Sequence, residues 1–154
     1  MVLVTKNTRC RLCGELMGSS EIMTLPSFPR NRSDRLAPFS GGAIHPKCFD
    51  EHPLSALAQE FSDRRRRHAR EPCRCVVCGD PVLEGPGNDG LTTSLLSTEE
   101  DHPLFAYNFT CIHREHLEDW SQLAEFRQAV ARAIEAGRWR GEPFVRRTQL
   151  PEGR

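Results

Sequence analysis

Hydrophobic residues recur at helical spacing in the last third of the chain. Between positions 114 and 136, apolar side chains recur at steps of three and four residues, so that they share one helical face: Leu117, Trp120, Leu123, Ala124, Val130, Ala131 and Ile134. This spacing predicts an amphipathic helix. Gly137 is placed to end it, because glycine favours the left-handed conformation of a C-terminal cap. A second helix is predicted from Pro53 towards Arg70, since proline is tolerated in a first helical turn.

Short strands are predicted in pairs ahead of these helices. Four runs rich in apolar and β-branched residues are predicted as strands, at 21–25, 42–44, 91–96 and 105–110. The spacers 24–42 and 82–98 are rich in Pro, Ser, Gly, Asn and Arg, which predicts hairpin tips or loops. Loops on a rigid scaffold often carry recognition. The pattern therefore predicts an α+β fold in which a hairpin followed by a helix occurs twice.

The composition excludes several protein classes and indicates a small core. Hydrophobic residues make up 38% of the 154 positions and aromatic residues only 7%. No apolar segment is long enough to span a bilayer, and the start of the chain has no apolar run of signal-peptide length. We therefore expect a cytoplasmic protein in a reducing environment, with no membrane partner. Such a core needs additional stabilisation, for which the seven cysteines and six histidines are suited.

Two C-x2-C pairs, each followed by glycine, predict metal-binding turns called zinc knuckles. They are Cys10 with Cys13 and Cys75 with Cys78. Two thiols three residues apart on a tight turn point to one side, which suits tetrahedral zinc with sulfur at about 2.3 Å. The following glycine can take a positive φ, so that backbone amides point at the sulfurs. An odd cysteine count without a secretion signal argues against a disulfide framework.

Each knuckle is followed by a second pair of potential ligands in the pattern I-H-x-x-[C/H]. The two knuckles are 65 positions apart and the two second pairs 68, which indicates an internal repeat. The repeat predicts two zinc sites, formed by Cys10, Cys13, His45 and Cys48 and by Cys75, Cys78, His113 and His116. Four protein ligands leave no open position, so both zinc ions are expected to be structural. In a chain with so small a core, zinc is then expected to be needed for folding.

Two cysteines lie outside the repeat and leave one ligand open. Cys73 precedes the second knuckle closely enough to compete for its metal. Cys111 aligns with Ala43, yet it is near enough in sequence to replace His113 as the fourth ligand. The alignment of the two Ile-His pairs favours His113. Cys111 remains the alternative ligand.

A knuckle, a hairpin and two ligands at a helix start resemble the treble-clef zinc finger. The resemblance covers both repeats and implies a tandem pair of treble-clef modules that share a small core. The first site also resembles the first half of a LIM domain. The resulting division is a first module at 1–72, a second module at 73–137 and a C-terminal extension at 138–154. Treble clefs serve many functions, so the resemblance implies a fold and zinc ligation and no specific activity.

The second repeat also contains a fragment similar to the HNH nucleases. In that family a histidine beside an acidic residue acts as general base, and an asparagine precedes the helix. Asp101-His102 and Asn108 match this pattern, which implies that His102 is a general base and that His113 or His116 holds a hydrolytic metal. A filled metal site argues against this function. The alternative is an acidic turn ahead of a strand.

Charge is divided along the chain although the formal net charge is zero. Residues 1–74 carry 13 basic and 8 acidic side chains, whereas the stretch 79–126 has ten acids and only one base. The most basic run is Arg64, Arg65, Arg66 and Arg67. It is suited to a phosphate or an acidic partner, to a solvated helix end, or to the acidic stretch within the same molecule. The acidic stretch disfavours a phosphate backbone.

These observations favour a non-enzymatic, zinc-stabilised interaction protein that binds another protein through its loops and charged faces. Two alternatives are kept from the same residues. One is a nucleic-acid-binding zinc-finger protein that uses the basic half at 1–74. The other is a divergent HNH-like, metal-dependent nuclease.

Overall fold

The protein is described by a computed structural model over residues 5, 7–18, 21–25, 29, 31–82, 90–93 and 95–140. Strand β1 (Met23–Thr24) pairs antiparallel with β2 (Ala43–Ile44), and β3 (Gly90–Thr92) pairs antiparallel with β4 (Cys111–His113). Helices α1 (Pro46–Asp50) and α2 (Ser55–His68) follow the first sheet, and α3 (Leu123–Glu135) follows the second. The fold is therefore mixed α+β. Within the described residues, none of the helices is long and apolar enough to cross a membrane.

The two halves of the chain repeat the same local structure at an offset of 68 positions. Met23 faces Ile44 in the first sheet, and Leu91 faces Ile112 in the second. Helix α2 begins at Ser55 and α3 at Leu123, again 68 positions apart. A 3₁₀ turn precedes each second strand, at Ala37–Phe39 and at Phe105–Tyr107. The internal repeat seen in the sequence is thus also a repeat of backbone structure.

The repeat includes an unusual backbone position. Gly41 has φ 60°, and Phe109, 68 positions later, also has φ 60°. A left-handed conformation costs an L-residue roughly 1–2 kcal/mol, whereas glycine adopts it freely. The ring of Phe109 compensates by packing against the core of the first half and by approaching the His68 ring at a centroid distance of 4.5 Å. Phe109 therefore connects the two halves.

Each half has its own hydrophobic core rather than a part of one shared core. Phe39, Ile44 and Phe61 belong to the first core. In the second core the Tyr107 ring meets the rings of Trp120 and Phe126 edge to face, at centroid distances of 5.8 and 5.1 Å. The exception is a small group from the second half that packs into the first core, consisting of Leu95, Phe105 and Phe109.

Buried polar side chains of the first spacer bind the second half. The carboxylate of Asp34, which is 5% exposed, accepts hydrogen bonds from the backbone N–H and the hydroxyl of Thr98, at 2.7 and 2.6 Å. Asn31 is 1% exposed and donates to the Arg138 carbonyl at 2.8 Å. This part of the predicted recognition loop, from 31 to 34, therefore takes part in packing between the halves.

The predicted strand at 105–110 is wrong, because polar side chains bind this segment into turns. Residues 105–107 form the 3₁₀ turn, and the strand is Cys111–His113. The side-chain oxygen of Asn108 accepts from the N–H groups of Leu96 and Ser97, at 2.7 and 3.1 Å. Its amide group donates to the Ser97 carbonyl at 2.8 Å. Asn108 thus bonds the backbone of Leu96 and Ser97 through its side chain, and not through the backbone pairing of a strand.

The other predicted elements are present with altered bounds. Strand β3 ends at Thr92. At the next residue, the Thr110 N–H donates to the side-chain hydroxyl of Thr93, at 2.8 Å, instead of to a strand carbonyl. The helix predicted over 114–136 is divided into a 3₁₀ turn at Arg114–His116 and helix α3. The intervening turns direct Leu117 and Trp120 into the second core. Gly137 has φ 66° and ends α3 as predicted.

The C-terminal extension begins with an ordered contact. Trp139 is buried, and its backbone N–H donates to the Ala133 carbonyl at 3.0 Å. The remainder of the predicted extension, 141–154, lies outside the described residues. The central part of the second spacer, 83–89, also lies outside them.

Replacing Asp34 by Ala is expected to lower the free energy of unfolding by about 2–4 kcal/mol, because several buried donors lose a charged acceptor. The measurement is urea unfolding followed by circular dichroism in the presence of zinc. Asp34→Asn should retain part of the stability, since one acceptor oxygen remains. The control is Asp50→Ala, an exposed acid at the end of α1, for which a change within about 0.5 kcal/mol is expected. An equal loss in both alanine variants would contradict the role of Asp34.

Candidate metal centres

Each C-x2-C pair lies on a tight turn closed by backbone hydrogen bonds. The N–H of Cys10 donates to the Glu15 carbonyl at 2.8 Å, and the N–H of Cys75 donates to the Asp80 carbonyl at the same distance. The glycine after each pair has a positive φ, 78° at Gly14 and 81° at Gly79. This confirms the expected conformation. The turn aims both thiols of a pair to one side.

An arginine before each knuckle reinforces its turn. The guanidinium of Arg9 donates to the Gly14 carbonyl at 2.9 Å, and that of Arg74 donates to the Gly79 carbonyl at 3.1 Å. The two arginines are 65 positions apart, like the knuckles. They belong to the repeat, although spacing of cysteines and histidines alone did not reveal them.

The second pair of side chains in each half is positioned by a strand end and a helical turn. His45 directly follows β2 and precedes α1, which contains Cys48. Pro46 suits the first position of α1, where no N–H is needed. In the second half, His113 ends β4 and His116 lies in the next 3₁₀ turn. Side chains three residues apart on one turn face the same side, so both members of each pair point at the knuckle.

The structure brings four ligands together in each half. Within each group the ligand atoms all lie within 4.8 Å of one another, and each group could hold a metal ion. In the first half, Nδ1 of His45 lies 3.5 Å from Sγ of Cys13 and 3.7 Å from Sγ of Cys48. In the second, Cys78 Sγ lies 3.5 Å from Nδ1 of His113. Nδ1 of His116 lies 3.7 Å from Sγ of Cys75.

The first cysteine of each knuckle is buried and receives backbone hydrogen bonds. Sγ of Cys10 accepts from the His45 N–H at 3.5 Å, and Sγ of Cys75 accepts from the His113 N–H at 3.5 Å. Burial opposes ionisation of both thiols. Backbone amides aimed at the sulfurs outweigh burial, and they lower the pKa of Cys10 and of Cys75 from 9.0 to about 6. Each knuckle thus contains one thiol prepared to act as a thiolate.

Other ligand side chains in the two clusters have raised pKa values. Burial, together with hydrogen bonds and charge from the other thiols of the cluster, raises the pKa of Cys48 to about 11. The hydrogen bond from His116 to Cys75 raises the pKa of that imidazole against the opposing effect of burial. Without a metal, each cluster therefore retains protons that a bound cation would displace.

The two remaining cysteines lie apart from both clusters. Cys73 and Cys111 form a disulfide with a Cα–Cα distance of 6.1 Å. The structure therefore places His113, and not the alternative Cys111, beside Cys75, Cys78 and His116. His68 approaches this pair, with Nε2 at 3.9 Å from Sγ of Cys73. Sequence reasoning missed His68, because its position has no counterpart in the ligand pattern.

The side chains that resemble the HNH pattern are engaged in structural contacts. His102 is 4% exposed. Its Nδ1 accepts from the Leu104 N–H at 3.1 Å, and its Nε2 lies 3.4 Å from the Arg138 carbonyl. The Asp101 carboxylate pairs with the Arg138 guanidinium at 3.2 Å. The residue 68 positions before His102 is Asp34, which accepts from the Leu36 N–H in the same way. His102 therefore stabilises a turn.

The arginine run lies at the C-terminal end of α2. Arg66 pairs with Asp63 at 3.2 Å, and the guanidinium carbon of Arg64 lies 6.0 Å from the centre of the Phe61 ring. Arg64 also lines a surface cavity of about 500 Å³ together with acidic residues of the second half, Glu99, Glu100 and Asp101. At least one arginine of the run is thus placed near the acidic stretch of the same molecule.

Comparison of the chain with family models, with curated proteins and with solved structures finds no match. The two clusters and the internal repeat are therefore the features from which a function is inferred.

The affinity of the clusters for zinc is expected to fall as the pH falls, because protons compete for the sulfurs. Above pH about 6, Cys10 and Cys75 are ionised in the metal-free protein and cost nothing to deprotonate. Below that pH they also compete, so the affinity should fall more steeply from pH 6 to 5 than from pH 8 to 7. Competition with a chromophoric chelator measures this slope. A slope that does not steepen below pH 6 would contradict the assigned pKa values.

Replacing Gly79 by Ala is expected to destabilise the second cluster by about 1–2 kcal/mol, because the backbone has φ 81° there. A Cβ at this position would meet no atom within 4 Å, so the cost is conformational and not steric. The matched variant Gly14→Ala should affect the first cluster in the same way. Thermal unfolding of the zinc-loaded variants measures the loss. Unchanged melting temperatures would show that the turns relax.

Proposed function

We propose that each half is a treble-clef zinc finger that holds one structural zinc ion. The supporting observation is the convergence of four thiol and imidazole ligands in each half, on a knuckle, a strand end and a helical turn. Thiolates and imidazoles suit zinc better than the harder cations, which prefer oxygen ligands. The first zinc has three sulfur ligands and one nitrogen ligand, and the second has two of each.

The zinc ions serve folding and not catalysis in this proposal. Four protein ligands fill a tetrahedral zinc, whereas catalytic zinc keeps a position for water. In addition, the histidine that resembles a nuclease base has both ring nitrogens near backbone groups and is 4% exposed. A general base must reach its substrate with a free nitrogen. These features favour a non-enzymatic protein over the HNH-like nuclease.

The function we propose is binding of another protein by this zinc-stabilised scaffold. The tip of the second knuckle presents two exposed apolar side chains, Val76 at 52% and Val77 at 38% exposure. The second half also exposes acidic side chains, including Asp80 just after the knuckle, Glu115 and Glu118. Adjacent exposed apolar side chains suit the buried centre of a protein interface. The acidic character of this half favours a basic partner.

Binding of nucleic acid through the arginine run of α2 is less favoured. A phosphate backbone requires several accessible cations. Within the run at the end of α2, Arg66 is paired with an acid, and Arg64 lies beside the acidic cavity. The structure thus supports the internal interpretation of the arginine run more than a phosphate-binding one.

Removal of zinc is expected to unfold the protein, because neither half has a large core. The helical signal in circular dichroism should be lost on addition of a strong chelator and recovered with zinc. His113→Ala should lose one of two zinc ions, measured by native mass spectrometry without added reductant. Cys111→Ala is the matched control and should retain both. Retention of both ions in His113→Ala, together with loss of one ion in Cys111→Ala, would instead assign the fourth ligand to Cys111.

The partner is tested by purifying the protein gently from its own cells and recording a native mass spectrum. We expect a protein companion at fixed stoichiometry, which is lost in Val76→Asp. The control is Leu16→Asp, which places the same charge on a side chain 50% exposed beside the first knuckle. A companion that survives Val76→Asp would assign a different surface. Metal-dependent nicking of plasmid DNA by the purified protein would contradict the non-enzymatic function.

A further inference from the structure

A third group of ligand atoms converges where the two halves meet. His68 lies at the end of α2, Cys73 in the segment before the second knuckle, and Cys111 in β4. Their ligand atoms lie within 4.8 Å of one another. A cavity of about 390 Å³ reaches this group and is also lined by Arg65 and Phe109. Neither of the two structural zinc sites uses any of these side chains.

The scaffold does not require the two cysteines. In the second half, the Val82 N–H donates to the Cys73 carbonyl at 2.7 Å, and the Val76 N–H donates to the Cys111 carbonyl at 2.9 Å. In the first half the same bonds are made to the carbonyls of Thr8, at 2.9 Å, and Ala43, at 3.0 Å. Backbone hydrogen bonds thus hold both positions in either half, whether or not cysteines are present.

The third member of the group has no role in a disulfide. Nε2 of His68 lies 3.9 Å from Sγ of Cys73, and the imidazole ring is packed against the ring of Phe109. Cys111 is 1% exposed, whereas Cys73 is half-buried at the cavity. One histidine and two thiols together supply three ligands, and the cavity offers room for a fourth. Three protein ligands and an open position are the arrangement of an accessible zinc site.

We propose that in the dithiol form His68, Cys73 and Cys111 bind a third, zinc-class cation with an open position towards the cavity, and that the disulfide form closes this site. The proposal goes beyond the two structural zinc ions and does not depend on the protein partner. The open position would accept water or another small ligand from the cavity.

The two forms interconvert by thiol–disulfide exchange with a low-molecular-weight thiol. Two such thiols reduce the Cys73–Cys111 bond, giving two protein thiols and one low-molecular-weight disulfide. Zinc binding then displaces both thiol protons to solvent, while His68 contributes the lone pair of Nε2. In the reverse direction, one thiolate attacks the small disulfide and releases a thiolate. The second protein thiolate then displaces the other small thiolate and closes the bond.

The experiment is native mass spectrometry of the full chain with zinc as the only added metal. The reduced protein should bind three zinc ions, and the protein treated with a small disulfide should bind two. The double variant Cys73→Thr with Cys111→Ala copies the residues of the first half, so it should fold and bind two ions in either condition. His68→Ala should lower the affinity for the third ion by about 10-fold or more. Arg67→Ala, an exposed neighbour in the same helix, should leave all three.

Two results would overturn the proposal. One is binding of two ions by the reduced wild-type protein at saturating zinc, which would leave the pair a simple disulfide. The other is a third ion that persists in the double variant, which would place it elsewhere. Both results are distinct from a failure of the structural sites, because that failure would reduce the count in the double variant below two.

Discussion

The convergence of four ligand side chains in each half is the constraint on which the rest of the structure depends. A knuckle fixes two thiols through a positive-φ glycine, and a strand followed by a helical turn brings two more groups opposite them. These elements are short, with strands of two or three residues. Such strands are too short to be stable alone. A metal ion bound by each cluster would supply the stability that the small cores lack.

The second level of organisation is the contact between the halves. Asp34 and Asn31 bind backbone groups of the second half, while Leu95 and Phe109 carry apolar surface of the second half into the first core. Equivalent positions of the repeat have different roles in the two halves. Position 34 holds an acid that reaches across the interface, and position 102 holds a histidine that also caps its own turn. The two halves therefore share a scaffold but contribute different side chains to the interface between them.

The ligand clusters could be predicted because spacing carries the information. Cysteines three apart with a following glycine have few uses, and the Ile-His pairs recur at an offset of 68 positions. The strand at 111–113 was not predicted, because the pairing of Asn108 with the backbone of 96–97 is a contact between distant residues. His68 was also missed for this reason. Its proximity to Cys73 and Cys111 depends on how α2 meets the second half.

Zinc X-ray absorption on the disulfide form would reveal the ligands of the zinc ion proposed in each half. We expect an average of about 2.5 sulfur ligands at about 2.3 Å, with the remaining positions filled by nitrogen at about 2.0 Å. This average follows from one site with three sulfurs and one site with two. An oxygen shell from exchangeable water, or an average near two sulfurs with fewer than four ligands, would contradict two zinc sites filled by protein ligands.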